Sequence, residues 1–341
     1  MLPARFMRPA VSPRSVVPFV RRSWFARAAL ALAIGCSSTP PPAAPEEPPP
    51  SLEDDAPSGD SEGFRAGTDA IAAGDFEKAR GIFEKVAGEQ PSNAKAHFYL
   101  GVAQQNLGQG EAAVQSYERA LELDPKLSEA TVNLTAALLD AGDAARAEPV
   151  IERGLASEPN HPGLLYNRAI AAGMLGKKTE AVKAYRAALG ADPDNLEIKY
   201  GYAEALVVAG SNSEARSLLG ELAQADDVAV LASTARLLGR LDDFDGCIKA
   251  LDKAILREAS AELYVARGLC HHGKKDDASA YADFQQAIQK DPKYAPAHYY
   301  AGMDLKQRGK KAEAKKALAR AAELGGDSGL GKAAKRALES L

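Results

Sequence analysis

Residues 94–127 read AKAHFYLGVAQQNLGQGEAAVQSYERALELDPKL. Apolar and small residues recur at helical spacing on both sides of Gly108-Gln109-Gly110, which predicts two antiparallel helices joined by a short turn. Gly101 on the first helix and Ala113 on the second are small where two helix axes must approach closely, and Tyr117 fills the space beside them. Pro125 has no amide hydrogen and biases Asp124 away from helical geometry, so the second helix ends there.

The same unit recurs on both sides of this stretch. Pro91, Pro125, Pro159 and Pro193 are each 34 residues apart, and Pro292 follows 99 residues later, three units with two prolines missing. The small slot holds Ala79, Ala113, Ala147, Ala181, Ala215, Cys247, Ala280 and Ala314, at intervals that stay between 32 and 34. A fixed period of this length is the signature of a stacked repeat architecture, in which neighbours bury faces that one unit cannot bury alone. The fifth and sixth units are degenerate: the proline slot is lost near Asp227 and near Ala259, and Asn212 replaces a bulky turn residue.

The pattern resembles the tetratricopeptide repeat over residues 60–327. The family's key positions are matched by Gly101, Ala113, Tyr117, Ala120 and Pro125 in the second unit. They are matched by Ala169, Ala181, Tyr185, Ala188 and Pro193 in the fourth, and by Gly268, Ala280, Phe284, Ala287 and Pro292 in the seventh. The resemblance implies an all-α, right-handed superhelical solenoid of about eight helix-turn-helix repeats. Residues 328–341 predict a capping helix, because Leu330, Ala333, Ala334, Ala337, Leu338 and Leu341 form one apolar stripe while Lys332, Lys335, Arg336 and Glu339 face away. The family binds extended or helical peptide in an inner groove lined by its first helices. Carried to matching positions, that groove includes Phe98, Asn133, Tyr166, Asn167, Tyr200 and Tyr299, with Val102, Val132, Ile170, Glu204, Tyr300 and Met303 beside them. Arg236 and Lys306 fall on the same face. Aromatic rings supply contact area at low entropy cost, and an amide side chain can pair with a peptide backbone.

The first 35 residues are basic and then apolar over 28–34, the layout of a bacterial export signal, and the apolar run is shorter than the roughly 20 residues a membrane span needs. Ala33-Ile34-Gly35-Cys36 resembles the lipobox of bacterial lipoproteins, which implies cleavage before Cys36 and acylation of its thiol; Ala33 stands where leucine is usual, with Leu32 one step earlier. Arg21-Arg22-Ser23-Trp24-Phe25 also looks like a twin-arginine motif, so the export route stays open. Residues 36–59 read as the acylated cysteine and a disordered tether. Over 37–60 there are eight prolines, six acids and no base, a composition that cannot bury a core and that reaches about 70 Å at roughly 3.1 Å per residue. Ser37 after the lipid cysteine points to the outer membrane, facing the periplasm.

The whole chain is 46% apolar and 26% charged, a composition that predicts a soluble body. Six arginines are the only charged residues before Cys36, so the formal net charge of −4 becomes −10 from Cys36 onward. An acidic body argues against nucleic acid as the main partner. Gly326-Asp327-Ser328-Gly329-Leu330-Gly331-Lys332 fits most of a phosphate-loop pattern, but it follows a helix and has Ala333 where Ser or Thr would hold magnesium. His97 and His298 fill equivalent packing slots, and the adjacent His271-His272 cannot place both rings on one helix face, so no metal site is expected. No catalytic cluster is readable. Cys247 and Cys270 sit on adjacent helices; a bridge is chemically open to an exported protein, while two separate buried thiols are the expected state. These residues predict a non-catalytic, membrane-anchored scaffold of the bacterial cell envelope, with no cofactor besides the lipid on Cys36. It would bind a protein or peptide partner and no small-molecule substrate. A soluble cytoplasmic adaptor or co-chaperone, or a non-catalytic subunit of an enzyme complex, are the alternatives.

Overall fold

The computed structural model describes residues 62–341, which fall into two compact units divided at Gly210. The described residues form seventeen α-helices and no strand.

The first unit holds α1 (Glu62–Ala72), α2 (Phe76–Glu89), α3 (Ala94–Asn106), α4 (Gly110–Leu123), α5 (Ser128–Asp140), α6 (Ala144–Ser157), α7 (Pro162–Met174), α8 (Lys178–Ala191) and α9 (Leu196–Ala209). Each helix packs on the next, and α1, α3, α5 and α7 also touch one another in series, so the first helices of the hairpins make a layer of their own. The second unit holds α10 (Asn212–Leu222), α11 (Val228–Arg240), α12 (Phe244–Arg257), α13 (Ala261–Gly273), α14 (Asp277–Lys290), α15 (Ala295–Gln307), α16 (Lys311–Gly325) and α17 (Gly329–Glu339). There α11, α13, α15 and α17 form the corresponding series.

The hairpins follow from a short list of local devices. Gly74, Gly108, Gly142 and Gly176 take φ of +73°, +76°, +87° and +74° in the turn after a first helix, a left-handed geometry that lets the chain reverse without a Cβ clash. Asp75 and Asp143 follow two of these glycines, and their carboxylates accept the amide hydrogens of Lys78 and Arg146 to cap the next helix. In the second unit Asp242 (φ 56°) and Lys275 (φ 65°) stand in the glycine position, and Asp243 and Asp276 cap behind them. Where the proline slot is lost, a side-chain cap on the following helix does the punctuation. Asp227 accepts from the Val230 amide and Ser260 from the Leu263 amide. Pro149 lies inside α6, which continues past it.

Packing rests on one bulky side chain per hairpin set against one small residue. Phe83, Tyr117 and Ile151 in the first unit, and Leu219, Leu251, Phe284 and Leu318 in the second, are almost wholly buried at one slot of successive second helices. A Cβ added to Gly101 would stand 2.6 Å from the Tyr117 ring, and one added to Gly268 would stand 2.6 Å from Phe284. Each such burial contributes about 2–3 kcal/mol by area. At the end of the chain α17 buries Leu330, Gly331, Ala334 and Ala337 against its neighbours and turns Lys332, Lys335 and Arg336 outward.

Two expectations about packing are corrected. Cys247 on α12 and Cys270 on α13 form a disulfide, with Cα atoms 6.3 Å apart, and are not two separate thiols. Consecutive helices bring them within the span a bridge requires. His97 and His298 do not merely fill space: their Nε2 atoms stand 3.2 and 2.9 Å from the carbonyl oxygens of Pro91 and Pro292, tying the start of each helix to the turn before it.

Candidate functional site

The first helices carry the positions assigned to the groove. Phe98 on α3 is 4% exposed, its ring 5.1 Å from Tyr99 and 6.0 Å from Tyr117. Tyr166 on α7 is 5% exposed, donates to Glu197 Oε1 at 3.2 Å and meets Tyr185 edge-on at 5.9 Å. Burial first, then the Glu197 charge, raises its phenol well above the ordinary tyrosine range. Tyr200 on α9 is fully buried. Asn167 on α7 is also buried, and both its amide hydrogens are used: Nδ2 donates to Val132 O at 3.1 Å and to Thr135 Oγ1 at 2.7 Å. Asn167 is therefore a cross-link between α7 and α5, not a partner-facing amide in this structure. Asn133 on α5 is half-buried, and the Tyr117 hydroxyl below this layer donates to Gln105 Oε1 at 2.7 Å. In the second unit Tyr299 on α15 is half-buried, stands edge-on to Tyr300 at 5.2 Å, and packs against Ala321, Ala322 and Ala334. Cys36 lies outside the described residues.

The open part of the first-helix layer lies at the helix ends. Met174 is half-buried, and Leu175 and Val208 are 40% and 42% exposed. Met174 and Val208 belong to a ladder with Asn106 and Asp140, one per hairpin at 34-residue spacing in the last turn of α3, α5, α7 and α9. The period itself was the signal for this row, because it repeats with the prolines. On α15 of the second unit, Met303 is 37% exposed.

The second unit also holds a charge network. Arg267 reaches Asp283 at 2.6 and 2.9 Å and Asp252 at 2.6 Å, and its side chain lies over the Tyr264 ring at 5.5 Å. Those carboxylates hold its guanidinium above the usual arginine range, so it stays charged at any working pH. This joins α12, α13 and α14. No group of three or more His, Cys, Asp or Glu among the described residues is placed to hold a metal ion. The phosphate-loop-like stretch is a turn between helices, where Ser328 accepts from the Gly331 amide to cap α17. No described helix is long and apolar enough to cross a membrane.

Repeated hairpins, a bulky-on-small slot in each and a first-helix layer with an open margin define a helical-repeat binding protein. Two family models, both described as tetratricopeptide repeat, match residues 65–224 and 233–295. The chain is a tetratricopeptide repeat protein, a protein–protein interaction scaffold of a family that typically binds protein or peptide partners and is typically non-catalytic. Among solved structures, yeast Tom70 is similar at 18% identity with a TM-score of 0.53, covering 82% of this chain and 63% of that one. A tetratricopeptide repeat protein from Parabacteroides merdae is similar at 20% identity with a TM-score of 0.51, covering 72% of this chain and 98% of that one. At these identities the likeness is one of fold. No curated protein matches the chain.

Proposed function

We propose that this chain is a lipid-anchored scaffold of the bacterial cell envelope, cleaved after Gly35, acylated on Cys36 and carried on the tether that follows. The observation that carries the anchor is the sequence Ala33-Ile34-Gly35-Cys36 behind a basic and then apolar leader. The Cys247–Cys270 disulfide supports an oxidising compartment, since such bridges persist outside the cytoplasm. An outer-membrane position facing the periplasm follows from Ser37. Metabolic labelling with a palmitate analogue tests it: label on the wild type that vanishes in Cys36→Ala is the expected result. An unlabelled wild type, or label retained in the variant, sinks the anchor and favours a cytoplasmic adaptor.

The partner surface in this reading is the open margin of the first-helix layer, with Met174 and Val208 as its apolar contacts. A protein or peptide held there would be positioned for assembly of an envelope complex. Crosslinking pull-down from membranes, comparing wild type with Met174→Glu and Val208→Glu, reads this out. Val208 is exposed, so its variant keeps the fold, while Met174 packs partly on the core of the first unit and its variant is read only with unchanged helical circular dichroism. The same partners at the same yield would remove the margin from the site.

A further inference from the structure

The last three helices are charged opposite to the segment that leads into α1. Residues 295–341 carry ten Lys and Arg against five Asp and Glu, while residues 46–62 carry seven acids and no base. Lys315, Lys316, Lys332 and Arg336 are all exposed, and none has a carboxylate within 4.0 Å among the described residues. Some other basic side chains of the same unit are matched: Lys274 pairs with Asp245 at 2.6 Å, Lys253 with Asp226 at 3.3 Å, and Arg257 with Asp226. The four unmatched charges lie on two helices that pack against one another. Lys311 Nζ donates to Leu341 O at 2.9 Å, which sets the start of α16 beside the end of α17. From that junction Lys315 is one turn along α16, Arg336 about one turn back along α17, and Lys332 a further turn back. Spacings of this order fall near the Debye length of about 10 Å at moderate salt, so the charges act together.

We propose that this α16–α17 surface docks the acidic segment 46–62 of a second copy of the chain. The match is one of charge: four exposed basic side chains with no ion-pair partner among the described residues, and seven carboxylates in a stretch without a base. Of the leucines of these helices, Leu318 and Leu330 are buried and Leu324 and Leu338 half-buried, so the surface offers charge without an exposed leucine, as suits an extended acidic peptide more than insertion into a bilayer. Because the start of one copy meets the end of another, the contact is heterologous and leaves a free start and a free end after each addition.

Sedimentation of the chain from residue 36, carrying Cys36→Ser so that lipidation plays no part, tests this independently of the anchor. Concentration-dependent association at about 50 mM salt, weakened about tenfold or more at about 500 mM, is expected of a screened charge contact. A variant with Lys315→Glu, Lys316→Glu, Lys332→Glu and Arg336→Glu stays monomeric in both, with unchanged helical circular dichroism. Mixing it with a chain carrying Glu53→Lys, Asp54→Lys and Asp55→Lys restores association. A monomeric wild type at low salt, association that survives the reversal, or a mixture that stays monomeric overturns the proposal. Binding to phosphatidylglycerol-containing vesicles without self-association also overturns it, and assigns the surface to lipid.

Discussion

Lys275 and Asp242 hold left-handed turn geometry where other hairpins use glycine, and a side chain with a Cβ costs about 1–2 kcal/mol there. Lys275→Gly is expected to raise the unfolding free energy of the second unit by about 0.5–1 kcal/mol, read as a shift in the urea midpoint. Asp242→Gly should give less, because a short polar side chain tolerates this region. The opposite holds at Gly101: a methyl group there lies 2.6 Å from the Tyr117 ring, so Gly101→Ala should destabilise by about 1–3 kcal/mol, checked by the same titration. The Gly101 contact was legible in the sequence, since a small residue and a ring recur in step. The roles of Asn167 and Tyr200 were not. Periodicity places a residue on a helix face, but whether that face is open depends on how closely the next hairpin lies, and Thr135, which takes one hydrogen of Asn167, is 32 residues away in the chain.

At the scale of the helix, the degenerate fifth and sixth units show why boundaries were harder to read than the elements themselves. Proline marks a helix end by what it lacks, whereas Asp227 and Ser260 mark the next helix start by what their side chains accept, and such residues are common in loops. A cap of this kind is also sensitive to acid. The Asp276 carboxylate is held below its ordinary 3.8 by hydrogen bonds from the Ser279 side chain and amide. A lowered folded-state value means that its contribution is complete above the unfolded value and disappears as pH falls through the folded one. Asp276→Asn should therefore reduce stability at neutral pH and flatten the fall in stability below about pH 4, visible in thermal melts across an acid series. The Lys274 charge adds to the low value, and His271 Nδ1 stands 3.5 Å from the same carboxylate.

On the scale of the whole chain, each hairpin depends on its neighbours for burial, so the end of the array needs a cover. Removal of residues 329–341 would bare Ala321, Ala322 and one side of Tyr299, and the truncated chain is expected to bind a hydrophobic dye and to aggregate at concentrations where the intact chain does not. The disulfide has a different consequence in such an array, one of mechanics. When a chain of stacked hairpins is stretched from its two ends, hairpins give way one after another and the chain lengthens by the residues each releases. Cys247 and Cys270 enclose a separation of 23 residues, which at roughly 3.4 Å per residue, less the 6.3 Å already between their Cα atoms, withholds about 70 Å of that lengthening while the bridge is closed. Single-molecule stretching should record a total extension longer by about that amount under a reducing agent. The staple between α12 and α13 is thus a limit on how far the second unit can be drawn out under tension.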